Sequence, residues 1–354
     1  MTSEIPSARP SLRDLGWTPA LQAGLDPARD ADATPVRVTA VHRDAIEAFG
    51  AGDARPRRVS TGPSLPSREI AIGDWLLLGA AGAPLRVIER SSLIQRRAAG
   101  TGREAQLVAA NLDSLFVVSS CNADFNPSRI ERYLALARQA GVEPVVVLTR
   151  ADACPDPCHY LDRLRALAPA VPALAVNALD RASAAQLLSW CGRGQTVALV
   201  GSSGVGKSTL VNALTSAGQE TAGIREDDAR GRHTTTARSM HRMPSGAWLI
   251  DTPGMRALRL TDAAEGVEAV FEDLALLAAG CRFGDCRHED EPGCAVRAAI
   301  AAGAVAPERL ARWRKLEREE ARNSASLAEQ RETARAFGRK VRACVEDKRA
   351  RRGE

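Results

Sequence analysis

In the first hundred residues apolar positions come in short, closely spaced runs. They are Val36-Arg37-Val38-Thr39-Ala40-Val41, Arg57-Arg58-Val59-Ser60-Thr61, Ile70-Ala71-Ile72-Gly73-Asp74-Trp75-Leu76-Leu77-Leu78 and Leu85-Arg86-Val87-Ile88-Glu89, with a basic end at Arg96-Arg97. This pattern predicts about five short strands and a small β-barrel, most plausibly an OB-fold, over residues 35–105. Residues 1–34, rich in Pro, Ala, Asp and Arg and without a sustained period, predict a flexible arm. From Asn111 the pattern changes to unbroken apolar runs at Leu115–Val118, Val145–Leu148, Leu174–Val176, Val197–Val200 and Ala247–Ile250, with a helix expected over 128–140. Continuous apolar strands separated by helices predict an α/β domain with a parallel sheet buried on both faces, here over 106–275. A helix at Phe271–Ala279 and a charged, helix-forming tail predict a mostly α-helical end, residues 276–354.

The length, 354 residues, exceeds one typical core and calls for two or three domains. With 45% hydrophobic and 26% charged residues, the chain is expected to be globular. No run approaches the length of a membrane span, and the first residues, with Glu4 and Pro6, lack the apolar stretch of a secretory signal. Eight cysteines in such a chain suit a reduced, cytoplasmic protein with no membrane partner, and a monomer is expected. The tail from Pro307 to Glu354 holds fifteen Lys or Arg against nine Asp or Glu, a surplus larger than the whole chain's +5. That balance suits contact with an RNA backbone.

The chemistry centres on Gly201-Ser202-Ser203-Gly204-Val205-Gly206-Lys207-Ser208-Thr209, directly after the apolar run Val197–Val200. Three glycines let the backbone N–H groups turn inward on an anion, and the helix that follows points its positive end at the same place. This is a phosphate-binding P-loop in its strand-loop-helix setting. Lys207 reaches the β- and γ-phosphates, and the Ser208 hydroxyl ligates Mg²⁺. Lysine usage agrees: of 48 Lys plus Arg only Lys207, Lys315, Lys340 and Lys348 are lysine. A chain that writes Arg almost everywhere keeps a compact ammonium where a planar guanidinium would not fit.

A carboxylate at the end of a later apolar run, in Asp251-Thr252-Pro253-Gly254, supplies the other half. Asp251 belongs in the Mg²⁺ shell, and the Gly254 N–H is placed to sense the γ-phosphate. Between them the polar segment Gly231-Arg232-His233-Thr234-Thr235-Thr236 can cover the phosphates, with Thr235 the favoured third metal ligand. Guanine is normally read by an aspartate after a strand ending in Asn-Lys-x-Asp. No such strand follows Gly254. The suitable stretch lies upstream, Thr149-Arg150-Ala151-Asp152, backed by Asn177-Ala178. The motif order is therefore rotated, which a parallel sheet tolerates because strands keep their places when the chain is cut elsewhere.

These motifs, with Asp124-Phe125-Asn126 and Arg132-Tyr133-Leu134 beyond the first strand, resemble the RsgA (YjeQ) family of ribosome small-subunit-dependent, circularly permuted GTPases. The resemblance runs from about Val36 into the tail. It implies an N-terminal OB-fold, a permuted GTPase domain and a C-terminal zinc domain. It further implies GTP/GDP with Mg²⁺ as ligands and the small ribosomal subunit and its rRNA as partner. Hydrolysis would be stimulated by that subunit and serve its late maturation. Because Met255, not a polar residue, follows Gly254, the resemblance makes His233 the residue that orients water, with Lys207 neutralising charge. Thr149-Arg150 stands where the family usually has Asn-Lys, which predicts the loss of one supporting hydrogen bond at the base.

The third site is Cys281, Cys286, His288 and Cys294, four soft ligands in fourteen residues with Gly and Pro turns between them. Such a set wraps one tetrahedral Zn²⁺ and leaves no open position, so its role is structural. The spacing agrees with the family's zinc motif. Cys121, Cys191 and Cys344 read as packing residues, and Cys154–His159 as a loop. Two rival functions are an ATPase, separated by nucleotide competition, and an RNA-binding scaffold with vestigial nucleotide binding, separated by turnover with small subunits.

Overall fold

The computed structural model describes residues 9–97, 105–215, 239–251 and 263–325. The first of these do not form a loose arm. A 3₁₀ turn at Arg13–Leu15 and helix α1, Pro19–Ala23, bury Leu15 and Leu21, and Trp17 packs edge-on against Trp75 at 4.8 Å. The Trp248 indole donates to the Asp14 carbonyl at 2.8 Å, and Arg37 donates to the Leu15 carbonyl. Two apolar anchors and backbone acceptors for buried donors outweigh the poor local propensity that predicted disorder.

The next strands are β1 (Thr34–Val41), β2 (Ala45–Gly50), β3 (Arg57–Ser60), β4 (Trp75–Leu78) and β5 (Pro84–Val87), followed by a separate hairpin, β6 (Leu93–Arg97) and β7 (Ala105–Ala110). β1 lies between β2 and β4, antiparallel to both, and β3 and β5 add at β2 and β4. Val36, Val38, Ile46, Ala48, Val59, Leu76 and Leu78 fill the concave side of this curled sheet. The basic end at Arg96-Arg97 is part of a hairpin strand, not a terminus of the sheet.

Strands β8 (Ser114–Ser120), β9 (Glu143–Thr149), β10 (Ala173–Ala175), β11 (Thr196–Gly201), β12 (Ser239–Arg242) and β13 (Trp248–Asp251) form the second half in the order β10-β9-β8-β11-β13-β12. The first five are mutually parallel and β12 is antiparallel to β13. One bridge, Ala40 to Ser239, joins β12 to β1. The unbroken apolar runs have a simple cause. Leu115, Val117, Val146, Leu148, Ala198 and Val200 face one core, while Phe116, Val118, Val145, Val147, Val197 and Leu199 face another across the sheet.

Helices α2 (Pro127–Gln139), α3 (Pro157–Leu167), α4 (Arg181–Ala184), α5 (Lys207–Thr215), α6 (Ala264–Val270), α7 (Glu272–Ala278), α8 (Ala295–Ala301) and α9 (Pro307–Ser324) complete the described chain. α2 starts where Asn126 accepts from the Arg129 N–H at 3.1 Å, an N-cap followed by Pro127 at N1. Cys158 and His159, read as loop, instead open α3, which Asp156 caps. The tail, through Ser324, is a docked helix: Leu310, Trp313 and Leu316 are buried. Arg312 meets the fully buried Glu131 of α2 at 2.8 Å, and Arg132 meets Glu319 at 2.5 Å. Burial raises the Glu131 carboxyl above its ordinary range, and Arg312 and Arg309 oppose that shift. The arginines expected to face RNA are here partly engaged within the protein. Among the described residues no helix is long and apolar enough to cross a membrane.

Candidate functional site

The P-loop sits where β11 leaves the sheet. Gly201 has φ 150°, and a Cβ there would lie 2.2 Å from the Val118 carbonyl of β8, so no other residue lets the chain turn off the sheet at this point. Gly206 has φ 90° and packs its bare Cα toward Thr149. Ser203, Gly204 and Ser208 are exposed, Ser202 and Thr209 half-buried, and Val205 is buried as the loop's anchor. α5 begins at Lys207, whose ammonium donates to the Gly201 carbonyl at 2.9 Å and to the Ser202 carbonyl. The charge is thereby held within the curl of the loop.

The upstream strand end meets this loop directly. The buried Thr149 hydroxyl lies 2.6 Å from the Val205 carbonyl and 3.1 Å from the Ser119 carbonyl. Arg150, in the left-handed region with φ 59°, donates to the Gly204 carbonyl at 2.8 Å. Thr149 and Arg150 thus tie the P-loop to β9 through their side chains. The signal was in the residue types, since both retain donors, but their acceptors lie 56 and 54 residues away in sequence.

Asp152 lies exposed in the 3₁₀ turn Ala151–Ala153. The Ala151 N–H donates to the Val176 carbonyl at 3.4 Å, which sets this turn beside Asn177-Ala178. Asn177 shapes that second turn, its side-chain oxygen accepting from the Leu179 N–H at 2.9 Å and its own N–H donating to Ser183 at 3.0 Å. Ala178 is buried beneath. Asp251 ends β13, whose Ile250 pairs with Ala198 of β11, so its backbone lies on the same carboxyl edge. Residues 149–152, 177–178, 201–209 and 251 thus converge at the carboxyl ends of adjoining parallel strands, where α/β sheets bind ligands. His233, Thr235 and Gly254 lie outside the described residues.

Cys281, Cys286, His288 and Cys294 also converge, with their ligand atoms all within 4.8 Å of one another. The Cys281 and Cys294 sulfurs are 3.9 Å apart, and His288 Nδ1 lies 3.6 Å and 3.4 Å from them. Bonds of about 2.3 Å to sulfur and about 2.0 Å to nitrogen in a tetrahedron give edges of about 3.5–3.8 Å, so these donors fit zinc. His288 adopts φ 58° and stacks on Trp313 of α9 at 5.6 Å. Burial, with help from Arg314, lowers the imidazole's proton affinity and favours the neutral ligand form.

Comparison with known proteins gives a consistent picture. The RsgA GTPase family profile matches residues 87–261. Small ribosomal subunit biogenesis GTPase RsgA 2 of Vibrio parahaemolyticus is 48% identical over 342 residues, covering 96% of this chain and 94% of the relative. Small ribosomal subunit biogenesis GTPase RsgA of Mesorhizobium japonicum is 46% identical, covering 92% and 94%. Among solved structures, YjeQ from Thermotoga maritima aligns with TM-score 0.59 at 22% identity, over 80% of this chain and 97% of that one. YloQ, described as a circularly permuted GTPase, aligns with TM-score 0.58 at 20% identity, over 82% and 96%. With the rotated motif order, the P-loop and relatives matched nearly end to end, the chain belongs to the RsgA GTPase family.

Proposed function

We propose that this GTP-hydrolysing enzyme binds the small ribosomal subunit and acts late in its maturation, with turnover stimulated by the subunit. The observation that carries the reading is the convergence of the P-loop with the Asp152 and Asn177 turns on one sheet edge. The names of the relatives supply the ribosomal context. Asp152 accepts two hydrogen bonds from the guanine edge, and the loop N–H groups of 201–206 hold the phosphates. Lys207 exchanges its carbonyl partners for phosphate oxygens and neutralises charge as it develops. Ser208, Thr235 and Asp251 would hold Mg²⁺, which would neutralise the charge that develops on the phosphates. His233 orients the attacking water. Cys281, Cys286, His288 and Cys294 hold one structural Zn²⁺.

The curled N-terminal sheet is the OB-fold of this reading, and with the basic residues that follow α9 in the sequence it contacts rRNA. The protein acts as a cytoplasmic monomer. The test is GTP turnover by the intact chain with and without purified small subunits. Stimulation by the small subunit and not by the large one is expected. Equal turnover in both conditions overturns the reading.

A further inference from the structure

The turn between β10 and α4 carries an apolar side chain that the fold itself does not bury. Leu179 is 80% exposed, more than any other large apolar residue among the described ones. The backbone that presents it is fixed on both sides. Its own N–H donates to the Asn177 side-chain oxygen at 2.9 Å, and the Asp180 N–H donates to the Asn177 carbonyl at 3.1 Å. The Asp180 carboxylate then caps α4, accepting from the Ala182 and Ser183 N–H groups at 3.0 and 3.3 Å. Ala178 is buried beneath the turn, so the residue after it stands on the outer side. A single exposed leucine is ordinary on a protein surface. This one is set apart by its neighbour, because the contact from the Ala151 N–H to the Val176 carbonyl lays its turn beside the one that carries Asp152.

We propose that Leu179 is a nucleotide contact: it lies against the face of the guanine ring whose edge Asp152 reads, and it keeps water off that face. The inference rests on the reading of Asp152 as the guanine contact. A purine has two kinds of surface. Its edge carries the donors and acceptors that a carboxylate can match, whereas its faces are flat and largely apolar and stay wet unless a side chain covers them. Covering a face does two things at once. It removes apolar area from water on both partners, and it lowers the local dielectric around the edge bonds, which strengthens them.

The hydrogen bonds around Asn177 and Asp180 explain why one leucine suffices. They hold the turn before any nucleotide arrives, so binding has to order only the leucine's own rotamer and not the backbone. A side chain without polar atoms cannot distinguish one base edge from another. Leu179 therefore contributes affinity for any purine nucleotide that the edge accepts, and Asp152 chooses among them.

The experiment measures GDP affinity and melting temperature on the intact chain for Leu179→Ser and Leu179→Met, with Leu188→Ser in the following 3₁₀ turn, Ala185–Trp190, as a local control of 40% exposure. Leu179→Ser is expected to bind GDP about five- to tenfold more weakly at an unchanged melting temperature, because the leucine is exposed until the nucleotide covers it. Leu179→Met should stay within about twofold of wild type, and Leu188→Ser should match it. The affinity for inorganic pyrophosphate, which has no base, should be the same with leucine or serine at 179. In an Asp152→Asn background, whose carboxamide suits xanthine, adding Leu179→Ser should weaken xanthosine diphosphate by the same factor as GDP in the parent. If Asp152→Asn leaves GDP binding unchanged, the reading of the edge fails and the contact built on it falls too. If Asp152→Asn shifts the preference but Leu179→Ser binds GDP as tightly as wild type, loses pyrophosphate equally, or is matched by Leu188→Ser, the face contact alone is overturned.

Discussion

The carboxyl edge of the parallel sheet and the loop from Cys281 to Cys294 each gather polar groups around a point, but they owe their shapes to different forces. β11 is buried along its whole length between β8 and β13, and the loop beyond it is fastened by Thr149, Arg150 and Lys207 to backbone carbonyls. Between α7 and α8 the chain forms turns and bends without a regular element. Cys294, Val296 and Trp313 are buried there. Three thiols and an imidazole crowd a space that an ion would organise. The first site is held by its fold, whereas the second, in the function proposed above, would depend on its ligand.

The most forceful way to break the comparison is to withdraw the metal. Structural zinc contributes on the order of 10 kcal/mol to small metal-dependent folds. Chelation or Cys286→Ser should therefore loosen residues from Cys281 through α8 and shorten hydrogen-exchange protection on α9, where Trp313 leans on His288. Nucleotide affinity should change little, because the P-loop is held by a different set of contacts. Metal analysis giving no near-stoichiometric zinc in purified protein would remove the premise.

Lys207→Ala tests the other side of the comparison. Removing one preorganised charge that acts in the transition state costs about 10²–10³ in kcat. The melting temperature should stay within a few degrees, since the loop keeps its Thr149 and Arg150 ties. Turnover at the wild-type rate would refute the site. A large drop in melting temperature would show that the ammonium's bonds to the Gly201 and Ser202 carbonyls, more than the Thr149 and Arg150 ties, set the loop's shape.

The two regions also differ in how openly the sequence displayed them. The P-loop was legible because its constraints are local: Gly201 must clear the Val118 carbonyl, and strand, glycines and helix follow one another in the chain. The four residues of the Cys/His cluster lie within fourteen residues and needed only spacing. The parallel strands were visible as continuous apolar runs because both faces are covered. What escaped depends on distant partners. Leu15 and Leu21 anchor the N-terminal segment only because β1, β4 and β13 supply Arg37, Trp75 and Trp248. β2, Ala45–Gly50, carries too short and mixed a run to stand out before β1 and β3 flank it.

Asp152→Asn asks whether the upstream turn reads the base. A carboxylate accepts both donors of guanine, each bond contributing about 1.5–3 kcal/mol, whereas a carboxamide presents one donor and one acceptor and suits xanthine better. Preference should shift from GDP to xanthosine diphosphate by about a hundredfold. Unchanged GDP binding would mean that the sheet edge holds phosphates but that Asp152 does not select the nucleotide.

The smallest effect is the most diagnostic of why the nucleotide site is stiff. The Thr149 hydroxyl has one hydrogen and two carbonyls within reach, Val205 at 2.6 Å and Ser119 at 3.1 Å, so the shorter contact is the one the proton serves. Thr149→Val preserves volume and branching but removes the donor. Val205 is buried, and its carbonyl would lose its tie to β9, at a cost of about 1–3 kcal/mol. Part of that cost appears as lower stability and part as a P-loop that must be re-formed when nucleotide binds. GDP and GTP affinity should each fall by about five- to tenfold, with kcat nearly unchanged at saturation. Thr149→Ser, which retains the hydroxyl, should recover most of the affinity. If valine binds nucleotide as tightly as threonine, the hydroxyl is incidental and the sheet alone holds the loop.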